Sequence, residues 1–232
     1  MNQIISQHGW GLDQSMWNKV KEEFIRQNWI WQDNNRGYYS DPHVKVNWIK
    51  DDSENNKKVV ICHSLGIHLI GKEILREASH IVLINSFYNF IPSNNESKIT
   101  MRTLLRMEKK INSCEVRFML EEFISRSFMP NQVDIKFKSI FNLKSKQINL
   151  KNLLKDFQKL YLQKSTFSLF SKNTDILVIK SKNDLILKDY ASDEFVYLLN
   201  NSQINKPKLV QIEGQGHLID NSCIVKILKD WL

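Results

Sequence analysis

Cysteine, proline and glycine are all scarce in this sequence of 232 residues, which contains three, four and seven of them, respectively. The number of cysteines is odd and no two of them form a CxxC pair: Cys62, Cys114 and Cys223. The sequence therefore indicates neither a disulfide framework nor a zinc cluster. No apolar run approaches the roughly 18 residues that cross a membrane, and the first five residues lack the features of a signal peptide. We therefore expect a cytoplasmic protein in a reducing compartment that needs no metal for folding.

The few glycines that are present follow apolar runs. Glycine makes up about 3% of the chain, 7 of 232 residues, against roughly 7% in an average protein, so each is expected where a Cβ atom would not fit. Six of the seven directly follow short runs rich in isoleucine, valine or tryptophan: Gly9, Gly11, Gly37, Gly66, Gly214 and Gly216. This pattern predicts buried parallel strands that end in loops.

Segments of helical length alternate with these strands. Apolar residues recur at helical spacing in residues 16–26, 68–78 and 223–232, and two further apolar runs occur at residues 81–84 and 176–179. The alternation predicts an α/β fold with about six mainly parallel strands and helices on both faces of the sheet. In such sheets, ligands bind at the carboxyl ends of the strands, where the glycine-containing loops lie.

Residues 92–165 interrupt the alternation. This stretch contains no glycine, and its apolar residues recur at the spacing of several amphipathic helices. We therefore predict an α/β core formed by residues 1–91 and 166–232, and a helical cap formed by residues 92–165. The cap would be inserted after the strand that ends near Ser86.

One of the glycines closes a short motif at the end of a predicted strand. After an apolar run come Cys62, His63, Ser64, Leu65 and Gly66. A serine with a small residue two positions away on each side fits a nucleophile elbow, in which a strand turns sharply into a helix and exposes the serine hydroxyl. Cys62 stands where glycine is usual, but it is also small. We predict that Ser64 is a catalytic nucleophile, and the alternative is a serine that serves only the turn.

A serine needs a base and a carboxylate to act as a nucleophile at neutral pH. Asp184 follows the predicted strand at residues 176–179, and His217 follows the predicted strand at residues 209–212. Serine, aspartate and histidine in this chain order match one of the known arrangements of a catalytic triad. We therefore predict Ser64, Asp184 and His217 as the catalytic residues.

Four other residues near these motifs have alternative interpretations. Asp189 and Asp193 are rivals of Asp184 as the acid, but both fall in a predicted helix. His63 is adjacent to the nucleophile, and we interpret it as a packing residue rather than a base. His8 is interpreted as a residue that braces its own loop by hydrogen bonding.

The tetrahedral intermediate of acyl transfer needs two N–H donors that are in place before the reaction. The backbone N–H of Leu65, directly after the predicted nucleophile and at the start of a helix, is one candidate. The loop of His8, Gly9, Trp10 and Gly11 follows the first predicted strand, and its glycines allow an amide to point inwards. We predict the backbone N–H of Trp10 as the second donor.

Together, the motifs at residues 8–11, 35–38, 63–66, 183–184 and 214–217 resemble the α/β-hydrolase superfamily with a helical cap. Within it, the sequence is most similar to pimeloyl-[acyl-carrier protein] methyl ester esterases of biotin synthesis, which share an HGWG loop, a short Ser-Leu-Gly elbow and a cap of this size. The resemblance implies a serine esterase that cleaves the methyl ester of pimeloyl-acyl-carrier protein, with no metal and no cofactor.

The cap of those esterases carries an arginine, a phenylalanine and an aliphatic residue that line the acyl site. Residues 117–120, Arg-Phe-Met-Leu, are similar. The resemblance therefore implies that Phe118 contacts the substrate, whereas helical spacing alone is equally consistent with a place in the core of the cap.

The net charge of +8 is unevenly distributed along the chain. Residues 92–165 contain 15 lysines and arginines and 7 acidic residues, so the remaining residues, with 18 of each sign, are neutral. Arg102, Arg106, Lys151 and Lys155 lie on predicted helix faces that could attract an acidic partner. We predict that this partner is the acidic acyl-carrier protein, and the alternative is a solvated basic face.

Two other functions stay open from the residues alone. One is a general carboxylesterase or thioesterase that acts on small acyl substrates. The other is a hydrolase fold that binds a partner without catalysis. We expect neither nucleic-acid binding, because the basic residues lack interleaved aromatic residues, nor a membrane partner, and we expect a monomer.

Overall fold

Six strands form one parallel sheet in the computed structural model of the protein, which describes residues 1–39, 43–50, 56–91, 93, 96–133, 137, 142–143, 147–162 and 170–232. The strands are β1 (Gln3–Gln7), β2 (Ile30–Asp33), β3 (Lys58–His63), β4 (His80–Ile84), β5 (Asp175–Ser181) and β6 (Lys208–Ile212). Their order across the sheet is β2-β1-β3-β4-β5-β6, and every neighbouring pair is parallel. The predicted α/β fold with about six mainly parallel strands is confirmed.

Runs of valine and isoleucine build the central strands because β-branched side chains pack well on a pleated sheet. In β3, Val59 and Ile61 belong to one hydrophobic core, and Val60 and Cys62 belong to a second core. All four side chains are fully buried. Burial on both faces explains why these strands lack the alternation of apolar and polar residues that a half-exposed sheet shows.

Helices cover both faces of the sheet, as predicted. The α-helices within the described residues are α1 (Asn18–Arg26), α2 (Lys72–Glu77), α3 (Ser97–Ile111), α4 (Val116–Phe128), α5 (Leu150–Phe157), α6 (Lys159–Leu162), α7 (Asp189–Ser202) and α8 (Asn221–Trp231). On one face, Phe24 of α1 and Leu228 of α8 are buried in the first core. On the other, Leu75 of α2 and Leu199 of α7 are buried in the second.

Two short 3-10 helices, Gln14–Trp17 and Ser64–His68, precede α1 and α2. The helices expected to start near residues 16 and 68 therefore begin later, at Asn18 and Lys72. No helix in the described part of the chain combines the length and the apolar composition needed to cross a membrane.

Four of the helices in the described ranges, α3 to α6, lie between β4 and β5 in the chain, within residues 92–165. Leu104 of α3, Leu120 of α4 and Leu153 of α5 are buried in the same hydrophobic core as α1 and α8. The helices of this segment therefore share a core with one face of the sheet. Its assignment as a cap domain stays a prediction, and several of its residues lie outside the described ranges.

The strand order reverses at β1, which lies between β2 and β3. Chain connections on the two sides of such a reversal run in opposite directions, and this opens a crevice at the carboxyl ends of the strands. The loops after β1, β3, β5 and β6 all leave the sheet at this edge, and they carry Trp10, Ser64, Asp184 and His217.

Candidate active site

Ser64 lies where β3 turns sharply into the 3-10 helix Ser64–His68. Its φ angle is +54°, a left-handed conformation that non-glycine residues adopt rarely and that is typical of strained functional sites. Gly66 allows this turn to pass close to β1, because a Cβ atom there would lie 2.8 Å from the carbonyl oxygen of Gln7. The strand-to-helix turn predicted at Ser64 is confirmed, and its side chain is half-buried at the surface of the crevice.

His217 connects Ser64 to Asp184 by hydrogen bonds. Its Nε2 lies 2.8 Å from Ser64 Oγ, and its Nδ1 lies 2.6 Å from Asp184 Oδ2. His217 is only 1% exposed, and the side chain of Asp184 is 5% exposed. Because a carboxylate only accepts, the proton of the neutral imidazole is on Nδ1, and Nε2 faces the serine hydroxyl as an acceptor. The structure thus brings together the three side chains that the sequence placed at separate strand ends.

Asp184 is held by its own loop. Its second oxygen, Oδ1, accepts hydrogen bonds from the backbone N–H groups of Ile186 and Leu187, each at 2.8 Å. Burial by itself would raise the pKa of Asp184, but the adjacent His217 and these two N–H groups outweigh burial and lower the pKa below its ordinary value. Asp184 is therefore ionised at neutral pH and holds the Nδ1 proton of His217.

The rival acids Asp189 and Asp193 lie elsewhere. Oδ1 of Asp189 is 3.2 Å and Oδ1 of Asp193 is 2.6 Å from Nζ of Lys180. Both carboxylates are exposed, at 73% and 64%. Their partner is thus a lysine, and the histidine at the strand ends is hydrogen-bonded to Asp184 instead.

The loop after β1 is braced by a buried histidine, as predicted. His8 Nδ1 donates to the carbonyl oxygen of Gly9 at 2.8 Å, and His8 Nε2 accepts the backbone N–H of Arg36 at 3.0 Å. Burial lowers the pKa of His8, so the ring is neutral and carries its single proton on Nδ1. Both ring nitrogens are occupied in this bracing role.

Trp10 follows in the same loop and is held by helices of the predicted cap. Its indole Nε1 donates to the carbonyl oxygen of Leu153 at 2.8 Å. Its ring packs against Phe123 and Phe157, with centroid distances of 5.3 and 4.9 Å. The backbone of Trp10 is therefore fixed through its side chain by contacts with α4 and α5.

The two predicted oxyanion donors, the N–H groups of Trp10 and Leu65, belong to segments that meet at the serine. Leu65 lies in the first turn of its helix, where backbone N–H groups have no acceptor within the helix. The N–H of Trp10 donates to no backbone carbonyl in the described ranges. Gly9 brings the two segments together, because a Cβ atom there would lie 3.1 Å from Ser64 Cβ. The local geometry suits an oxyanion site between these segments.

Solved structures resemble this one over nearly its whole length. The bromoperoxidase of Bacillus anthracis is 14% identical with a TM-score of 0.71, covering 99% of this chain and 92% of its own. An esterase from Exiguobacterium antarcticum is 15% identical with a TM-score of 0.71, and the match covers 100% of this chain and 91% of the esterase. The enol-lactonase of Burkholderia xenovorans LB400 is 11% identical with a TM-score of 0.62, and the match covers 99% of this chain and 90% of the enol-lactonase. The chain has the α/β-hydrolase fold. No protein-family model matches the sequence, and no curated protein is significantly similar to it.

Within this α/β-hydrolase fold, α4 approaches the loop of Trp10, but not through Phe118. A Cβ atom on Gly11 would lie 3.4 Å from Cδ2 of Leu120 and 3.5 Å from Cε1 of Phe123. Phe118 is 60% exposed. Residues two positions apart on an α-helix differ by about 200° around its axis, so the burial of Leu120 turns Phe118 to the outside. The expected substrate contact of Phe118 stays a prediction, and Phe123 is the phenylalanine of α4 that packs against Trp10.

A buried ion pair that the sequence did not reveal fastens α5 to the core. Nε and Nη2 of Arg36 donate to the two carboxylate oxygens of Asp156 at 2.8 and 2.9 Å, and the hydroxyl of Tyr38 donates to the same carboxylate at 2.9 Å. Asp156 is fully buried. Arg36 and Asp156 are 120 residues apart, and the only sequence signal was an acidic residue next to Phe157 on an apolar helix face.

The four basic residues assigned to a carrier protein are all exposed: Arg102 and Arg106 on α3, and Lys151 and Lys155 on α5. Two aliphatic side chains of α3, Ile99 and Leu105, are also exposed, at 65% and 43%. The outer surface of α3 is therefore both basic and partly apolar. Within the described ranges, no three His, Cys, Asp or Glu side chains are grouped so that they could hold a metal ion.

A cavity of about 350 Å³ is lined in part by residues that precede and follow His217 in its loop. Its walls include Met16, Phe128, Gln215 and Leu218. Neither the serine nor the histidine of the candidate site lines this cavity.

Proposed function

We propose that this protein is a serine hydrolase that cleaves a carboxylic ester through an acyl-enzyme intermediate. The observation that carries the proposal is the unbroken hydrogen-bond chain from Ser64 Oγ through His217 to Asp184, with distances of 2.8 and 2.6 Å. The left-handed backbone of Ser64 adds support, because strain of this kind is maintained where function needs it.

In the first half of the reaction, Ser64 Oγ attacks the ester carbonyl carbon while His217 Nε2 takes the hydroxyl proton. The ionised Asp184 stabilises the imidazolium and keeps its orientation. The carbonyl oxygen becomes an oxyanion that accepts hydrogen bonds from the backbone N–H groups of Leu65 and Trp10. His217 then gives its proton to the leaving alcohol, and the acyl group stays on Ser64.

In the second half, water replaces the alcohol. His217 Nε2 removes a proton from the water, the hydroxyl attacks the acyl carbon, and the same two N–H groups stabilise the second oxyanion. The proton returns to Ser64 Oγ as the acid leaves. No residue beyond these five is needed to transfer protons or to stabilise charge.

We further propose that the substrate is the methyl ester of pimeloyl-acyl-carrier protein, as the sequence resemblance implies. Support comes from the partly exposed apolar ring of Phe123, which packs against Trp10 of the predicted oxyanion loop and suits an aliphatic acyl chain. The exposed basic residues Arg102 and Arg106 of α3 suit the acidic carrier. The protein would then act in the cytoplasm, where biotin synthesis takes place.

A general carboxylesterase or thioesterase is the second candidate. It is favoured by fold neighbours that include esterases and an enol-lactonase. A binding module without catalysis is disfavoured, because the short hydrogen bonds of a complete triad would serve no purpose in it.

Replacing Ser64 by alanine tests the reaction class. We expect Ser64→Ala to abolish hydrolysis of p-nitrophenyl acetate and labelling by a fluorophosphonate probe, with an unchanged melting temperature. Ser202→Ala, at the end of α7, is the matched control and should behave as the wild type. Turnover that persists in Ser64→Ala would overturn the assignment.

A second experiment tests the substrate. Expression of the wild-type chain should rescue growth of a bacterial strain that lacks its pimeloyl ester esterase on medium without biotin, and Ser64→Ala should not. Hydrolysis of p-nitrophenyl esters without rescue would leave the general esterase as the function.

A further inference from the structure

Hydrogen bonds from two central strand ends converge on the backbone of His217. Its carbonyl oxygen accepts one hydrogen bond from Nε2 of His63 and one from Nδ2 of Asn85, each at 2.9 Å. His63 is the last residue of β3, and Asn85 directly follows β4. His217 itself lies in the loop after β6, a strand at the edge of the sheet. The two bonds therefore attach an edge loop to the two central strands.

Asn85 is locked in its position. Its φ angle is +43°, a conformation that asparagine tolerates better than most residues. Its Oδ1 accepts the backbone N–H of Ser181 at 2.8 Å, and its Nδ2 also donates to Ser181 Oγ at 3.0 Å. Asn85 is 2% exposed. Because both Oδ1 and Nδ2 of this buried asparagine are hydrogen-bonded, its partners are held in a fixed arrangement. The strained backbone at Asn85 is the cost of this arrangement.

His63 contributes a single N–H. Burial, and then the neighbouring His217, lowers the pKa of His63 to about 3, so its ring is neutral. Because its partner is a carbonyl oxygen, the proton is on Nε2. The other ring nitrogen, Nδ1, is buried and has no hydrogen-bond partner in the described part of the protein. The ring centroids of His63 and His217 are 4.8 Å apart, so a charge on His63 would oppose formation of the imidazolium.

We propose that His63 and Asn85 are positioning residues for the proposed hydrolase reaction: they fix the backbone of His217 so that Nε2 stays within reach of Ser64. The inference rests on the proposed function, and it assigns a role to two residues that do not touch the substrate. Loops after edge strands move more than strands do, and a displacement of about 1 Å at a catalytic group can reduce turnover about a hundredfold. The paired donors limit this displacement.

Two substitutions of His63 test the role of its N–H. Glutamine can place an amide N–H near the position of Nε2, whereas leucine fills similar space without a donor. We expect His63→Leu to lower kcat for p-nitrophenyl acetate at least tenfold with KM within twofold of the wild type, and His63→Gln to restore most of kcat. Equal losses in the two variants would overturn the proposal, because packing alone would then explain them.

Asn85→Asp gives an independent test, since it keeps the shape and the acceptor but replaces the N–H donor by a carboxylate oxygen. We expect a loss of kcat similar to that of His63→Leu. An unchanged kcat would remove Asn85 from the positioning role. If this variant does not fold, as judged by circular dichroism, the His63 pair decides the question alone.

The NMR signal of the Nδ1 proton of His217 separates this inference from the proposed function. A proton held between imidazole and carboxylate resonates far downfield, and its position does not depend on any ester substrate. We expect the signal to broaden or shift in His63→Leu and Asn85→Asp, and to remain in His63→Gln. A wild-type protein without esterase activity would overturn the proposed function, while an unaltered signal in all three variants would overturn the positioning role.

Discussion

The carboxyl edge of the sheet and the outer faces of helices α3 and α5 are built in opposite ways. At the edge, the polar side chains of His63, Asn85 and His217 are buried and engaged in short hydrogen bonds. On the outer faces, Arg102 and Lys151 are exposed to solvent. Function at the edge therefore depends on side chains held in fixed positions, whereas the outer faces offer only exposed positive charge.

Helix α5 has one side of each kind, a buried side with fixed contacts and an exposed basic side. Its inner side carries Asp156 and Leu153, which bind Arg36 and the indole of Trp10, while its outer side carries the exposed Lys155. The predicted cap therefore has two parts with different roles: an inner side that supports the site and an outer side that is exposed to a potential partner.

At the carboxyl edge of the sheet, Asp184→Asn removes the carboxylate that binds Nδ1 of His217, and we expect the largest effect from this substitution. Asparagine keeps the shape but favours the wrong imidazole tautomer, because its amide can donate to Nδ1 of His217. We expect kcat to fall by about 10⁴-fold with little change in melting temperature, measured with p-nitrophenyl acetate. Asp193→Asn, which alters the rival acid bound to Lys180, is the control and should retain activity. Similar losses in the two variants would contradict the triad.

Asp156→Asn removes the ion pair that attaches the inner side of α5 to the core. It leaves the guanidinium of Arg36, whose side chain is 16% exposed, without its bidentate partner. Loss of one member of a buried ion pair typically costs about 3 kcal/mol, so we expect a decrease of that size in the free energy of unfolding, measured by urea denaturation. Glu77→Gln, which breaks the exposed pair with Lys58, should cost at most about 1 kcal/mol. A similar effect in both variants would show that the buried pair has no special weight.

The sequence predicted those features that a short pattern encodes. Runs of β-branched residues predicted the strands, and strand ends followed by Ser64, Asp184 and His217 predicted the site. Contacts between distant single residues carry no such pattern, so Asn85 and the pair of Arg36 with Asp156 were not predicted. The site therefore followed from strand ends, whereas its supporting contacts required the tertiary structure.

Phe118 is exposed, and the sequence did not reveal this for a different reason. The segment Phe-Met-Leu places three apolar side chains on three different sides of α4, and hydrophobicity alone does not decide which side faces the core. Leu120 took the buried position and left Phe118 exposed. An amphipathic pattern is thus informative only where polar residues mark the outer face.

The buried histidine at the edge of the sheet should make stability depend on pH. The pKa of His63 is about 3 in the folded protein against an ordinary value of 6.5, so between these limits the unfolded chain binds a proton that the folded protein does not. The free energy of unfolding therefore falls as the pH falls from 6.5. In His63→Gln, this slope should be smaller by up to about 1.4 kcal/mol per pH unit, measured by urea denaturation between pH 6 and pH 4. Equal slopes would contradict a neutral buried His63.

The smallest effect is expected from substitutions on the outer face of α3. Reversal of charge in the double variant Arg102→Glu, Arg106→Glu should weaken kcat/KM for a carrier-bound ester by about tenfold through lost electrostatic attraction, and the loss should shrink at high salt. Activity on p-nitrophenyl acetate should not change, because both residues are exposed on α3. The double variant Lys72→Glu, Lys226→Glu makes the same change in net charge at exposed positions of α2 and α8. It therefore separates the effect of a local docking face from the effect of overall charge. Equal losses in the two double variants, or equal losses on the two substrates, would leave the outer face of α3 as a solvated surface without a partner.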